Sequence, residues 1–351
     1  MRFGYSDTCL DHDTGTRHPE NPDRLRAIRE GLKRKHGVEY VEAAPVTREA
    51  VAAVHDDGYV DEIESFCRDG GGNWDPDTVA SDGTWDAVLS AAGQAVWAAE
   101  EALAGAPGRN TPFAIGRPPG HHAVADDAMG FCFVNNAAVA AQAAIDDFDG
   151  HRAGDANTGR DVDADVDRVA IFDWDVHHGN GTQDIFLDRG DVLYASVHED
   201  GLYPGTGALE ETGEGDGEGA TLNAPLGAGA GDADYLEVID DVLLPVFERF
   251  DPDLLLVSAG FDAHRHDPIS RMRVSTEGYA LMADRMRTAA ERTGAGLGFV
   301  LEGGYGLDTL SEGVGIVHET FDGRPPIEPD GDDPEPETED VVSSLRARFD
   351  V

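Results

Sequence analysis

Short apolar runs of four to seven residues alternate along this chain with longer stretches of helical periodicity. MRFGY (1–5), PFAI (112–115), RVAIFDW (168–174), VLYASV (192–197), DLLLVSA (253–259) and GLGFVLE (296–302) read as strands. Several are apolar at nearly every position, as parallel strands buried on both faces are. Helices are predicted between them. TWDAVLSAAGQAVWAAEEALAG ends on Gly105, and FVNNAAVAAQAAIDDF is alanine-rich. DADYLEVIDDVLLPVFERF carries Pro245, which should kink it. STEGYALMADRMRTAAERTG has Ser275 or Thr276 as an N-cap and Gly294 as a stop. The alternation implies βαβ units in one open, mainly parallel sheet: an α/β chain, a single three-layer α/β/α domain.

Three segments read as loops. Residues 146–168 hold eight aspartates against three arginines, and 210–219 (EETGEGDGEG) are rich in glycine and acid. Residues 322–340 are rich in Pro, Asp and Glu and are expected to be flexible, before a short amphipathic end, VVSSLRARF. The expected layout is a main domain over 1–320 with an acidic insertion at about 146–168. An acidic, Pro-rich C-terminal tail follows over 321–351.

Charge changes the picture of the surface more than that of the fold. The chain carries 70 acidic against 26 basic residues, a net of −44, and the acids run through its whole length. Lysine occurs only at Lys33 and Lys35. Such a surface suits molar salt, where a screening length of about 3 Å makes self-repulsion tolerable. The composition resembles that of proteins from salt-accumulating halophilic archaea and implies a high-salt cytoplasm. With no basic patch to release counterions, direct DNA binding is not expected. Cys9, Cys67 and Cys132 are too widely spaced for a disulfide framework or a CxxC zinc site. No stretch approaches the roughly 20 apolar residues of a membrane span. The opening MRFGYSD does not read as a secretory signal.

In open α/β sheets ligands gather at the carboxyl ends of strands, and here the unusual polar groups do so too. PFAI leads into GRPPGHH, RVAIFDW into DVHHGNG, DLLLVSA into GFDAHRHDP, and GLGFVLE into GGY. Residues i and i+2 of an extended segment share a face, so Asp175 and His177 can ligate one metal ion together. Asp267, in HRHDP, is the best third candidate. Two carboxylates and one imidazole leave a position open for water and substrate, as in a catalytic zinc site. A lone DxH is more often a capped turn; the other clusters reverse that reading. His121 and His122 suit base and acid work near neutral pH, with Asp173 and Asn180 available to fix their tautomers. Tyr305 can donate a hydrogen bond to a developing oxyanion.

RPPGHH (117–122), MGFCFVNNAAVAA (129–141), DWDVHHGNGTQDIF (173–186), YPGTG (203–207), AGFDAHRHDP (259–268) and LEGGY (301–305) resemble the histone deacetylase family. The likeness is closest to its class II branch and to the bacterial and archaeal deacetylase-like amidohydrolases. HPENPDR (18–24) is similar to the family's N-terminal motif, so the resemblance spans about residues 1–320. It implies the arginase/deacetylase-like fold and one zinc ion on Asp175, His177 and Asp267. By the same resemblance His122 is the general base and acid, His121 its electrostatic partner, and Tyr305 the oxyanion donor. Asp173 and Asn180 orient the two histidines. Gly130, Phe131 and Tyr203 fall on the walls of a narrow tunnel for an acylated amine. Asp173, Asp175, His177, Ser196 and Val197 fall on a monovalent-cation site, for potassium. Arg24 falls where the family has an arginine near an internal exit channel.

The implied activity is a zinc-dependent deacetylase acting on acetyl-lysine in proteins. An acetylpolyamine or other small acyl-amide hydrolase is the alternative enzyme, and a non-catalytic acetyl-lysine-binding module the alternative of another class. Arginase-like binuclear manganese enzymes share the fold but need a carboxylate where this chain has Gly179, which favours a single metal. After Asp267 the run PISRMRV offers no carboxylate for a second cationic amine, which weighs against a polyamine-selective pocket.

Overall fold

The computed structural model describes residues 1–148, 151, 166–328 and 333–351. Ten strands are present among them: β1 (Arg2–Gly4), β2 (Glu39–Val41), β3 (Gly71–Asn73), β4 (Val79–Ser81), β5 (Pro112–Ala114), β6 (Val169–Asp173), β7 (Val192–Glu199), β8 (Thr221–Leu226), β9 (Leu254–Ala259) and β10 (Gly296–Leu301). Eight of them form one sheet in the order β2-β1-β5-β10-β9-β6-β7-β8, and every pairing within it is parallel. β3 and β4 make a separate antiparallel pair.

All six strands expected from apolar runs are present. β2 and β8 lie at the two edges of the sheet, where apolar continuity is not required. β2 is short and largely exposed, and β8 contains Pro225, which an edge strand tolerates.

Side chains alternate across the sheet and split the core in two. Ala170, Phe172, Leu255 and Val257 pack on one face, and Val169, Ile171, Leu254 and Leu256 on the other. The first face is covered by α1 (Asp23–Leu32), α7 (Asp232–Val238), α8 (Leu244–Phe250), α9 (Thr276–Thr293), α10 (Leu307–Phe321) and α11 (Pro336–Phe349). The second is covered by α2 (Arg48–Ala52), α3 (Asp57–Arg68), α4 (Thr84–Leu103) and α5 (Asn136–Ile145), with Ile185 of α6 (Asn180–Ile185) packed against it. This is the three-layer α/β/α domain expected. No helix among the described residues is long and apolar enough to cross a membrane. The three cysteines are free and buried.

Local rules place the helix ends. Ser275 is the N-cap of α9, its hydroxyl accepting the Gly278 N–H at 3.0 Å, and Gly294 ends that helix in the left-handed region (φ 82°). Ahead of Pro245 the helical ladder widens into a π turn at Ile239–Leu243, which takes up the proline's missing donor. Most of the acidic insertion expected at 146–168, and residues 329–332 of the expected flexible segment, lie outside the described residues. Past them, α11 buries Val342, Leu345 and Phe349 in the main core. Asp234 holds its start, accepting from Glu335 N at 2.8 Å and from the Thr338 hydroxyl at 2.7 Å.

The register sets up the site. Ala114, Val300, Ser258, Asp173, Ser196 and Asn223 stand side by side across six neighbouring strands. Every cluster singled out above follows within a few residues of that row.

Candidate active site

β6 leaves the sheet through Asp-Trp-Asp-Val-His. Trp174 and Val176 go into the core, while Asp173, Asp175 and His177 turn to the opposite side. Asp173 Oδ1 accepts the Asp175 N–H at 3.1 Å, and Asp175 Oδ1 accepts the His177 N–H at 2.9 Å. These side-chain-to-backbone bonds fix a tight exit from the strand. His177 Nδ1 lies 2.9 Å from Asp175 Oδ1 and 3.3 Å from Asp262 Oδ2. Asp175, His177 and Asp262 each place a ligand atom within 4.8 Å of the others, and all three are buried.

Asp262, not Asp267, therefore stands beside Asp175 and His177, which corrects the expected ligand set. The two oxygens of Asp267 are taken by backbone donors: Tyr305 N at 2.7 Å and Gly306 N at 2.8 Å on Oδ2, Ile269 N at 3.0 Å on Oδ1. Burial, and then the charge of Asp262, push the Asp267 carboxyl up to about 6. Asp262 lies three residues past the end of β9, as Asp175 lies two past β6. That nearness to the strand end was the available signal.

The donor set fits a divalent cation. Asp262 Oδ1 accepts the Val176 N–H at 2.9 Å, but Oδ2 is buried with no hydrogen-bond partner among the described residues. A carboxylate oxygen in that position calls for a counter-charge. Burial works against a charged His177, yet Asp175 and Asp262 outweigh it and hold the imidazole at about 10. The same excess of negative charge would be neutralised by a metal ion. Gly260 and Gly303 make room: a Cβ on either would overlap the carboxylate of Asp175 or Asp262.

His121 and His122 follow a Pro-Pro-Gly turn, with ring centroids 4.0 Å apart. His121 Nδ1 lies 3.0 Å from Asp173 Oδ2, and its Nε2 lies 3.8 Å from Asp175 Oδ1. Burial opposes its charge, but Asp175 and Asp173 hold it up at about 10. His122 Nδ1 lies 2.9 Å from Asn180 Oδ1. Burial, and then the neighbouring His121, keep His122 well below the ordinary imidazole range. One imidazole is thus built to carry charge and its neighbour to stay neutral.

Tyr305 is set by Gly303 and Gly304 at the end of β10. The Arg24 guanidinium lies 5.0 Å from the centre of its ring, and the Phe131 ring meets it edge-on at 5.7 Å. Burial raises the phenol well above its usual value, so it stays protonated. Gly130, Phe131 and Tyr203 gather around the same place. Tyr203 stands edge-on to His122 at 5.1 Å, and a Cβ on Gly130 would overlap the His122 ring. Of the residues expected to hold a monovalent cation, Asp173 pairs directly with Ser196 across β6 and β7, and Asp175, His177 and Val197 follow on the same two chain segments.

Sequence reasoning missed Glu302. This buried carboxylate accepts Gly120 N at 2.7 Å and His121 N at 3.2 Å, tying the histidine turn to β10, and burial pushes it up to about 7. Its signal was an acid inside an apolar strand end. Also missed was a fully buried ion pair. Arg117 donates to both oxygens of Glu20, at 2.8 and 2.6 Å, and to the Cys9 and His12 carbonyls. Arg24, expected near an internal channel, is buried with Nε on Gly304 O at 2.8 Å, and also reaches the Glu302 carbonyl and Glu20.

Residues 18–321 match the family described as Histone deacetylase domain. The chain belongs to the histone deacetylase family. This histone deacetylase-family hydrolase is 38% identical over 289 residues to the Histone deacetylase-like amidohydrolase of Pseudomonas aeruginosa, covering 82% of this chain and 71% of that protein. A "Probable deacetylase" of Archaeoglobus fulgidus is 38% identical over 310 residues, 87% of this chain and 81% of the other. Among solved structures, the crystal structure of the HDA15 HD domain superposes with a TM-score of 0.85 at 33% identity, covering 99% of this chain and 93% of that one. The family acts on acetylated substrates, and this member gathers Asp175, His177 and Asp262 into a buried group able to hold a metal ion.

Proposed function

We propose that this chain is a zinc-dependent deacetylase that hydrolyses N-acetyl groups from amines, with acetyl-lysine in proteins as its substrate, in a salt-rich cytoplasm. Asp175, His177 and Asp262 would hold the ion, which when bound would polarise the acetyl carbonyl and acidify a water.

The observation that carries this reading is the different settings of His121 and His122. Asn180 turns its Oδ1 to His122 Nδ1, and a carbonyl oxygen only accepts. The His122 proton therefore sits on Nδ1 and the Nε2 lone pair is left available. Neutral His122 can take the proton of an attacking water and return it to the departing amine as the C–N bond breaks and acetate forms. His121, paired with Asp173, supplies fixed positive charge beside it. The protonated phenol of Tyr305 can donate to the oxyanion as charge develops. Gly130, Phe131 and Tyr203 would wall the passage for the acyl-amine chain. Potassium at Asp173, Asp175, His177, Ser196 and Val197 would brace the exit from β6.

The test is acetate release in concentrated KCl from an acetyl-lysine peptide and an acetylated polyamine, side by side, with and without a chelator. The expected result is chelator-sensitive release that favours the peptide and returns with zinc. Preference for the polyamine would replace this reading with an acetylpolyamine amidohydrolase. No release from either, with metal bound, would point to a non-catalytic binding module.

A further inference from the structure

The second histidine of DVHHG takes no part in that chemistry, yet His178 is only 2% exposed. Its surroundings fix where its proton lies. Glu211 only accepts, so Gln183 turns Nε2 toward it at 2.8 Å and keeps Oε1 on the other side. That Oε1 accepts from Asn223 Nδ2 at 2.7 Å and lies 2.9 Å from His178 Nε2, which must donate. His178 Nδ1 is then an acceptor, and the Thr206 hydroxyl donates to it across 2.8 Å.

His198, equally buried, repeats the arrangement from β7. Its Nε2 faces the Gly207 carbonyl at 3.1 Å and donates to it, so Nδ1 accepts from the Ser196 hydroxyl at 2.9 Å. The two imidazoles stand 4.9 Å apart. Gly207 lies against both at φ +86°, where a Cβ would come within 2.6 Å of the His178 ring and 2.7 Å of His198. Two histidines thus grip consecutive residues, Thr206 and Gly207, of the Tyr-Pro-Gly-Thr-Gly segment. At its other end Tyr203 stands against the His122 ring.

We propose that His178 and His198 are positioning residues that clamp the 203–207 segment to the exits of β6 and β7 and so set Tyr203 against His122. This rests on the deacetylase reading of the site. A segment with glycines at 205 and 207 has high conformational freedom unless tied. A clamp on the wall of the substrate passage acts on binding more than on chemistry.

The test compares Thr206→Val, which removes the donated hydrogen bond at nearly constant shape, with Thr206→Ser, which restores it. Four quantities are measured in each: kcat and KM on an acetyl-lysine peptide, amide hydrogen exchange over 203–209, and bound metal per chain. Loss of this one bond in Thr206→Val should raise KM about tenfold with kcat within about twofold. Exchange over the segment should quicken, metal content should hold, and Thr206→Ser should return KM toward the parent value. Unchanged exchange would overturn the clamp. So would faster exchange without a rise in KM in an active enzyme, or loss of metal from Thr206→Val. If the parent chain releases no acetate at all, the deacetylase reading fails by itself, and faster exchange in Thr206→Val alone would still support the clamp.

Discussion

A single oxygen of Asp267 accepts the backbone N–H groups of both Tyr305 and Gly306, at 2.7 and 2.8 Å. This carboxylate aligns the peptide that carries the phenol, while Asp262 faces His177. The two aspartates of GFDAHRHD therefore have separable tasks. Asp262→Ala should lose bound metal. Asp267→Ala should keep it and lose turnover by about 10²-fold, the scale of a misplaced reacting group. Metal analysis with a turnover assay checks both; metal lost from Asp267→Ala and kept by Asp262→Ala would reverse the assignment.

Tyr305 has its phenol protonated and its ring held between Arg24 and Phe131. Tyr305→Phe removes only the donor. Turnover should fall by roughly 10²–10³, as for loss of one oxyanion donor, while metal stays bound. Unchanged turnover would take the phenol out of the mechanism.

His55 supplies a pH dependence of stability. Its Nδ1 donates to the Val124 carbonyl at 2.9 Å, and its Nε2 accepts the Asn135 N–H at 3.0 Å. The bond accepted at Nε2 requires the neutral ring, and burial lowers the imidazole to about 4. The folded state binds fewer protons than the unfolded chain between that value and the ordinary 6.5. Stability from this group is therefore complete above 6.5 and falls by up to about 3 kcal/mol as the pH drops through the window. Denaturant unfolding at a series of pH values should show a shallower acid slope for His55→Gln than for the parent, and equal slopes would remove His55 as the cause.

The net charge of −44 makes stability depend on salt. Screening reaches about 3 Å at 1 M but about 30 Å at 0.01 M, so dilution exposes every carboxylate to many others. Helical circular dichroism should be lost as KCl is diluted from molar to millimolar concentration. Full secondary structure at low salt would contradict the expectation.

Periodicity alone determined the layers of this protein. Apolar runs marked six strands, and the i, i+2 rule placed Asp175 and His177 on one face, because both follow from backbone geometry within a few residues. β2 and β8 escaped because an edge strand need not be apolar on both faces, and β8 could even hold Pro225. The tertiary structure alone decided which aspartate stands beside Asp175 and His177. Asp262 and Asp267 differ only in how the chain turns after β9, and that turn is settled by contacts with Val176 and Tyr305 from distant segments. The same holds for Glu302 beneath the histidine turn and for His178, whose partners come from residues 183 and 206. The sequence names the chemical groups and the face each local segment offers; which groups meet is decided by long-range packing, where a buried charge or donor is stable only beside its partner.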